Sequence, residues 1–299
     1  MSRHSKRLTP GALIAILIGV ATALAVAAGA FGQDRLAVER AGDPDGPAVV
    51  FIPGLATPGA VFQEAASSLE AADAHLVTLA GFGAVPAPDR VDPFIEPAAA
   101  ALATYLDAQD ITDAVLAGHS LGGQVALIAA GQAPERVAHV LLADSAPFFA
   151  GLMQPGADPD AVTARRDAMA ERLAGMDREA FLSMMRRGLP AQAAGEAAQA
   201  RILDWVEASD QTAVAVASAE IFAGDLRGHL DAVRAPVTLV YPENAMMDPE
   251  AFERRYRAQY DRLERFEMRP VADSRHFVML DQPERFAEEL ARVVEGASR

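Results

Sequence analysis

Short apolar runs that alternate with helical stretches constrain this chain more than any other feature. "AVVFIPG" (Ala48–Gly54), "HLVTLAG" (His75–Gly81), "AVLAGHS" (Ala114–Ser120) and "VAHVLLADS" (Val137–Ser145) carry almost no charge. A strand with one wet face alternates apolar and polar residues, whereas a continuous run belongs to a strand covered on both faces. Helical patterns lie between the runs, around Ala60–Ala71, Glu96–Ala108 and in the small-residue stretch "LGGQVALIAAGQ" (Leu121–Gln132). A short strand-like stretch, "RLAVERAG", precedes them and ends in the turn cluster "DPDGP". The alternation predicts an α/β fold: a mostly parallel, doubly wound sheet with right-handed crossovers.

The alternation stops at Pro147. From there to Val233 the pattern is helical, and it resumes with "APVTLVYP" (Ala235–Pro242), a helix near Glu250–Leu263, the strand "FEMRPVAD" and a last helix from Pro283 to about Val294. An all-helical insertion after the fourth run predicts a lid over the strand C-terminal ends, where open α/β sheets bind ligands. The expected organisation is therefore a leader over residues 1–32, a core built from 33–146 and 234–299, and a helical cap over 147–233.

The leader has its own signature. Arg3, Lys6 and Arg7 precede an uncharged apolar run, Gly11–Phe31, with Ala28-Gly29-Ala30 as a cleavage-like site. That run also has the length of a membrane span. Signal peptide and N-terminal membrane anchor both remain open, and both place the folded body outside the cytoplasm, in the periplasm, secreted or attached through residues 11–31. The formal charge of −15, from 41 acidic and 26 basic residues, argues against a nucleic-acid partner. With no cysteine in the chain, disulfides, thiolate metal sites and a cysteine nucleophile are excluded.

Gly118-His119-Ser120-Leu121-Gly122 fits G-x-S-x-G between a buried strand and a helix. A serine there needs a sharp, strained turn, and small neighbours let strand and helix approach. The following helix N-terminus directs amides at developing negative charge. Ser120 is thus the candidate nucleophile.

With "AGHSLGG", "VVFIPG" and "DSRHFVMLDQPERF" in view, the chain resembles serine hydrolases of the α/β-hydrolase fold, from about Arg35 to the C-terminus, with a helical cap. The resemblance implies a base beyond the last strand. Of the six histidines, His4 lies in the leader, His75 and His139 at strand starts, His119 inside the turn and His229 at the end of the cap. His276 is the one expected to serve. In such hydrolases the acid usually follows the strand after the cap, in a turn like G-x-x-D. Here "VYPENAMMDPE" has Pro242 and Ala245 at the glycine and acid positions. Asp144 at the end of the preceding core strand is the favoured acid, with Asp248 and Glu243 as alternatives; Asp248 before Pro249 could equally be a helix cap. The oxyanion hole is expected from the amides of Leu121 and of Leu55, after Pro53-Gly54.

The implied chemistry is acyl transfer from a carboxylic ester or related acyl bond of a small to medium, partly hydrophobic substrate, through an acyl-enzyme. Amide, peptide or carbon–carbon bond hydrolysis on the same machinery, and a non-catalytic binding protein of this fold, are the alternatives. No cofactor and no metal are expected. Phe148, Met153, Met184 and Met185 are candidate walls of an acyl pocket, although methionines at helical spacing also serve as core filler. Arg275 beside His276 could meet a substrate carboxylate, although an ordinary surface ion pair is the favoured reading.

Overall fold

The computed structural model describes residues 35–243 and 248–297; the leader lies outside them. Seven strands form one sheet: β1 (Leu36–Gly42), β2 (Ala48–Ile52), β3 (Asp73–Leu79), β4 (Ala114–His119), β5 (Val137–Ala143), β6 (Val237–Glu243) and β7 (Phe266–Ala272). Their order across the sheet is β1-β3-β2-β4-β5-β6-β7, and only β1 runs antiparallel, pairing Leu36 with Leu79 and Gly42 with Asp73. The continuous apolar runs are the central strands. Val49, Val50, Phe51 and Ile52 are wholly buried, as are Leu116, Val140 and Leu142. The edge strands β1 and β7 carry charged, exposed positions, as strands at a sheet edge must.

From β2 the chain steps outward to β3, then returns past β2 to β4. The crossovers on the two sides of β2 therefore leave in opposite directions. The C-terminal ends of β2 and β4 are therefore the topological switch point, the place where open α/β sheets bind ligands.

Twelve helices are described. α1 (Gln63–Ser67) follows a 3₁₀ turn at Gly59–Phe62; then come α2 (Ile95–Ala108), α3 (Leu121–Gln132), α4 (Phe149–Met153), α5 (Pro159–Thr163), α6 (Arg166–Ala174), α7 (Arg178–Gln192), α8 (Glu196–Ala208), α9 (Gln211–Ala223), α10 (Pro249–Gln259), α11 (Val278–Asp281) and α12 (Pro283–Ala297). The stretch read as one helix over Ala60–Ala71 is shorter. The Ser67 and Ser68 hydroxyls bond back to the Gln63 and Ala65 carbonyls, at 2.8 and 2.7 Å, offering the backbone partners that compete with further helix.

α4 to α9, followed by a 3₁₀ turn at Arg227–Ala232, lie between β5 and β6. Asp158, Asp177 and Asp210 cap α5, α7 and α9 by accepting from first-turn amides. Polar bonds tie these helices to the loops at the strand ends. The Asp210 amide donates to Gly81 O at 2.9 Å, and the Gly83 amide to Ser209 Oγ at 2.9 Å. The Phe277 amide donates to Gln192 O at 2.9 Å. Glu220 of α9 takes the Phe94 and Ile95 amides at 2.8 Å each, serving the N-terminus of α2, and pairs with Arg166 at 2.9 Å.

Candidate active site

Ser120 sits between β4 and α3 with φ 52° and ψ −119°. A left-handed serine costs on the order of 1–3 kcal/mol and persists only where its surroundings over-determine it. They do so here. Its amide donates to Ala143 O at 3.0 Å, and its carbonyl accepts the Gly123 amide at 3.0 Å and the Ser145 hydroxyl at 2.7 Å. Close approach explains the glycine that follows: a Cβ on Gly122 would lie 2.1 Å from Ile52 O. Leu121 opens α3, so its amide precedes the helix's own hydrogen-bond ladder.

The loop after β2 lies against this turn. A Cβ on Gly54 would stand 2.6 Å from His119 Nδ1 and 3.2 Å from Ser120 Cβ. The Thr57 amide and hydroxyl both bond the Gly54 carbonyl, at 3.3 and 3.0 Å, folding the chain back with Ala56 at φ 56°. Leu55 follows Gly54 within this folded-back loop.

His276 enters from the loop between β7 and α11. Its Nδ1 lies 2.6 Å from Asp144 Oδ2, across 132 residues of chain. With the Nδ1 proton on that carboxylate, Nε2 is left as the proton-accepting nitrogen. Asp144 follows β5 with φ 42°, and its amide donates to Val240 O at 2.8 Å. The pair is only partly covered, at 23% and 12% side-chain exposure, so solvent reaches it. Asp248, by contrast, accepts the Ala251 amide at 3.2 Å and caps α10. Glu243 is the last residue of β6. Asp144 is the carboxylate that the fold sets against His276.

His119 is wholly buried. Its ring lies 4.5 Å from both the His276 and Phe277 rings, and its Nε2 is 3.1 Å from the His276 carbonyl. Burial, reinforced by the nearby His276, pushes its pKa well down, so the ring is neutral and donates from Nε2. It packs under the backbone of His276.

The four apolar residues expected along a pocket have different surroundings. Phe148 is buried, with the Arg227 guanidinium 4.6 Å above its ring. It borders a cavity of about 510 Å3 between α4 and α10, whose lining includes none of Ser120, Asp144 and His276. Met153 is 57% exposed. Met184 and Met185, on α7, are half-buried against the core. Arg275 turns away from an anion role: its guanidinium donates to the carbonyls of Pro190 and Ala193. Among the described residues, no three His, Asp or Glu side chains are arranged to hold a metal ion.

One contact escaped the sequence reading. Tyr256, on α10, donates its hydroxyl to Asp144 Oδ1. Two tyrosines one turn apart, Tyr256 and Tyr260, were the visible signal, but the pattern reads equally as core packing.

A sheet of this order, with a strained serine turn above its switch point and a carboxylate-held histidine from the far end of the chain, defines an α/β-hydrolase architecture. The alpha/beta hydrolase family matches residues 49–289, and the chain belongs to that family. The pimeloyl-[acyl-carrier protein] methyl ester esterase of Nitrosomonas europaea is 33% identical over 141 residues. Those residues are 44% of this chain and 53% of that protein, so the match spans about half of that relative's length. Among solved structures, a thermophilic esterase from Thermogutta terrifontis superposes with a TM-score of 0.70 at 21% identity, covering 88% of this chain and 93% of that one. An esterase from Exiguobacterium antarcticum gives 0.72 at 22%, covering 88% and 96%. At these identities the superpositions speak for the fold alone.

Proposed function

We propose that this chain is a serine hydrolase of carboxylic esters. The observation that carries the reading is the 2.6 Å contact of His276 Nδ1 with Asp144, next to the strained Ser120 turn. In this reading Ser120 Oγ attacks the ester carbonyl and His276 Nε2 takes its proton. Asp144 holds the tautomer and stabilises the imidazolium that forms. The Leu121 and Leu55 amides stabilise the oxyanion, His276 protonates the departing alcohol, and water releases the acid by the same steps. The Nitrosomonas europaea relative supports ester cleavage in particular, because that protein is a methyl ester esterase.

A partly hydrophobic acyl group suits the half-buried Met184 and Met185, whose helix ends beside the backbone of Phe277. Phe148 and Met153 are weaker candidates for that wall, the first because Arg227 covers its ring, the second because it faces solvent. The basic residues and apolar run ahead of residue 32 support a body outside the cytoplasm.

The test is hydrolysis of p-nitrophenyl acetate, butyrate and octanoate by the parent and by Ser120→Ala. Turnover by the parent alone is expected. A folded parent no faster than Ser120→Ala on every ester would return the amide, carbon–carbon and binding-protein readings to the front.

A further inference from the structure

Asp144 is an acid without a cation. Among the described residues its ion-pair partner is His276, and no arginine reaches it. Its second oxygen, Oδ1, is taken by the Tyr256 hydroxyl. Tyr256 is 1% exposed, and its ring is gripped by Phe252, edge-on at 4.9 Å, and by Tyr241 at 5.7 Å. Tyr260, one turn further along α10, anchors the same helix by donating to Ser145 O at 2.7 Å. A rigid helix thus aims one phenol at the rear of the carboxylate whose front oxygen faces the histidine.

We propose that Tyr256 is a positioning residue for Asp144: its buried hydroxyl locks the plane of the carboxylate, so that Oδ2 stays on His276 Nδ1. The proposal rests on the Ser120–His276–Asp144 reading and extends it to a fourth group.

Two physical effects follow from this geometry. A carboxylate held at one oxygen can turn about its Cβ–Cγ bond, whereas one held at both cannot. A donor on Oδ1 also draws charge from the carboxylate, so it binds a proton on the imidazole less tightly. The phenol remains the donor throughout. Burial first, then the negative charge of Asp144, pushes its own ionisation well above the ordinary tyrosine range. The titratable groups that face it are Asp144, Tyr260 and Tyr241, and the last two are neutral phenols whose ionisation burial also raises.

The experiment compares the full-length parent with Tyr256→Phe and Tyr260→Phe on p-nitrophenyl butyrate, with Ser120→Ala and Asp144→Asn alongside. A hydrogen bond to a charged group is worth about ten- to hundredfold in an equilibrium or rate. Tyr256→Phe should therefore lower kcat by about ten- to hundredfold and leave KM within about twofold. The acid limb of its kcat/KM profile should move to higher pH. Tyr260→Phe, which loses an equally buried hydroxyl that does not touch Asp144, should lower the melting temperature and leave the limb in place. A purely structural Tyr256 predicts the same for Tyr256→Phe, and a folded Tyr256→Phe with the parent's kcat and limb would overturn the proposal. Should Tyr256→Phe not fold, 3-fluorotyrosine at position 256 supplies a stronger donor of nearly the same size. It should move the limb to lower pH, and an unmoved limb counts against the proposal. Retained turnover in Ser120→Ala or Asp144→Asn would fail the underlying reading itself, an outcome distinguishable from a silent Tyr256→Phe beside two dead controls.

Discussion

Asp144→Asn exchanges one carboxylate oxygen for an amide nitrogen and keeps the shape of the side chain. The structure allows the amide two orientations. With its oxygen on the Tyr256 hydroxyl, its N–H₂ faces His276 Nδ1, and two donors cannot share that 2.6 Å contact. The imidazole must then carry its proton on Nε2, where it cannot accept one from Ser120. With the amide reversed, the tautomer survives but Tyr256 meets a donor. In either orientation the imidazolium formed during acylation loses its counter-charge. At a separation of roughly 4 Å and an effective dielectric constant of about 20, that pair is worth about 4 kcal/mol. At about 1.36 kcal/mol per decade this is about three decades of rate. The tautomer error adds to it, approaching the loss of about 10⁴ known for a triad aspartate changed to asparagine. The assay is kcat on p-nitrophenyl butyrate, with thermal melting to show that the variant is folded. Asp248→Asn and Glu243→Gln, run beside it, should stay within about threefold of the parent, since Asp248 serves only as a cap worth about 1 kcal/mol of stability. If folded Asp144→Asn remained within about tenfold of the parent, or if Asp248→Asn proved the more damaging, the assignment of the acid would be wrong.

Gly54→Ala places a methyl 2.6 Å from the immobile His119 ring, so the loop carrying Leu55 must shift. Loss of one oxyanion donor corresponds to about 10²–10³ in kcat, readable with the same ester, and an unchanged kcat would remove Leu55 from the oxyanion hole. Glu220→Ala leaves the Phe94 and Ile95 amides without their partly buried acceptor and removes one of the three carboxylates around Arg166, beside Asp92 and Asp167, costing about 3 kcal/mol. For a domain of this size the melting temperature should fall by about 6–12 °C, and a shift under about 2 °C would mean that this tie carries little. His139 is half-buried against Thr238, and burial lowers its pKa to about 4. The unfolded chain therefore binds a proton there between the ordinary histidine value near 6.5 and about 4 while the folded one does not, and stability falls as pH drops through that window. His139→Gln should flatten that part of a melting-temperature profile, whereas parallel profiles for parent and variant would refute the linkage.

The short-range features were legible in the chain itself. Unbroken apolar runs became the buried central strands because a strand covered on both faces has no position for a polar side chain. The turn at Ser120 was legible because its glycines are required by contacts within a few residues and by the one strand beside it. The length of α1 was less so, because serine hydroxyls that end a helix also occur within helices.

The partners of His276 were a different matter. Asp144 was the favoured acid from the sequence, with Asp248 and Glu243 as alternatives, and all three sit near strand ends. What separates them is which strand end faces the β7–α11 loop and which carboxylate is already engaged as a helix cap. The order β4-β5-β6-β7 decides that, because a parallel sheet brings together loops more than a hundred residues apart that no local pattern records. Tyr256 is the extreme case: its helix could be read from the chain, but the direction of its hydroxyl depends on how that helix packs. The sequence by itself determined the strands and the serine turn, since backbone propensity and burial act locally. Only the tertiary structure decided which carboxylate meets His276, which phenol lies behind it and which helices border them, since those contacts exist only after distant segments have packed.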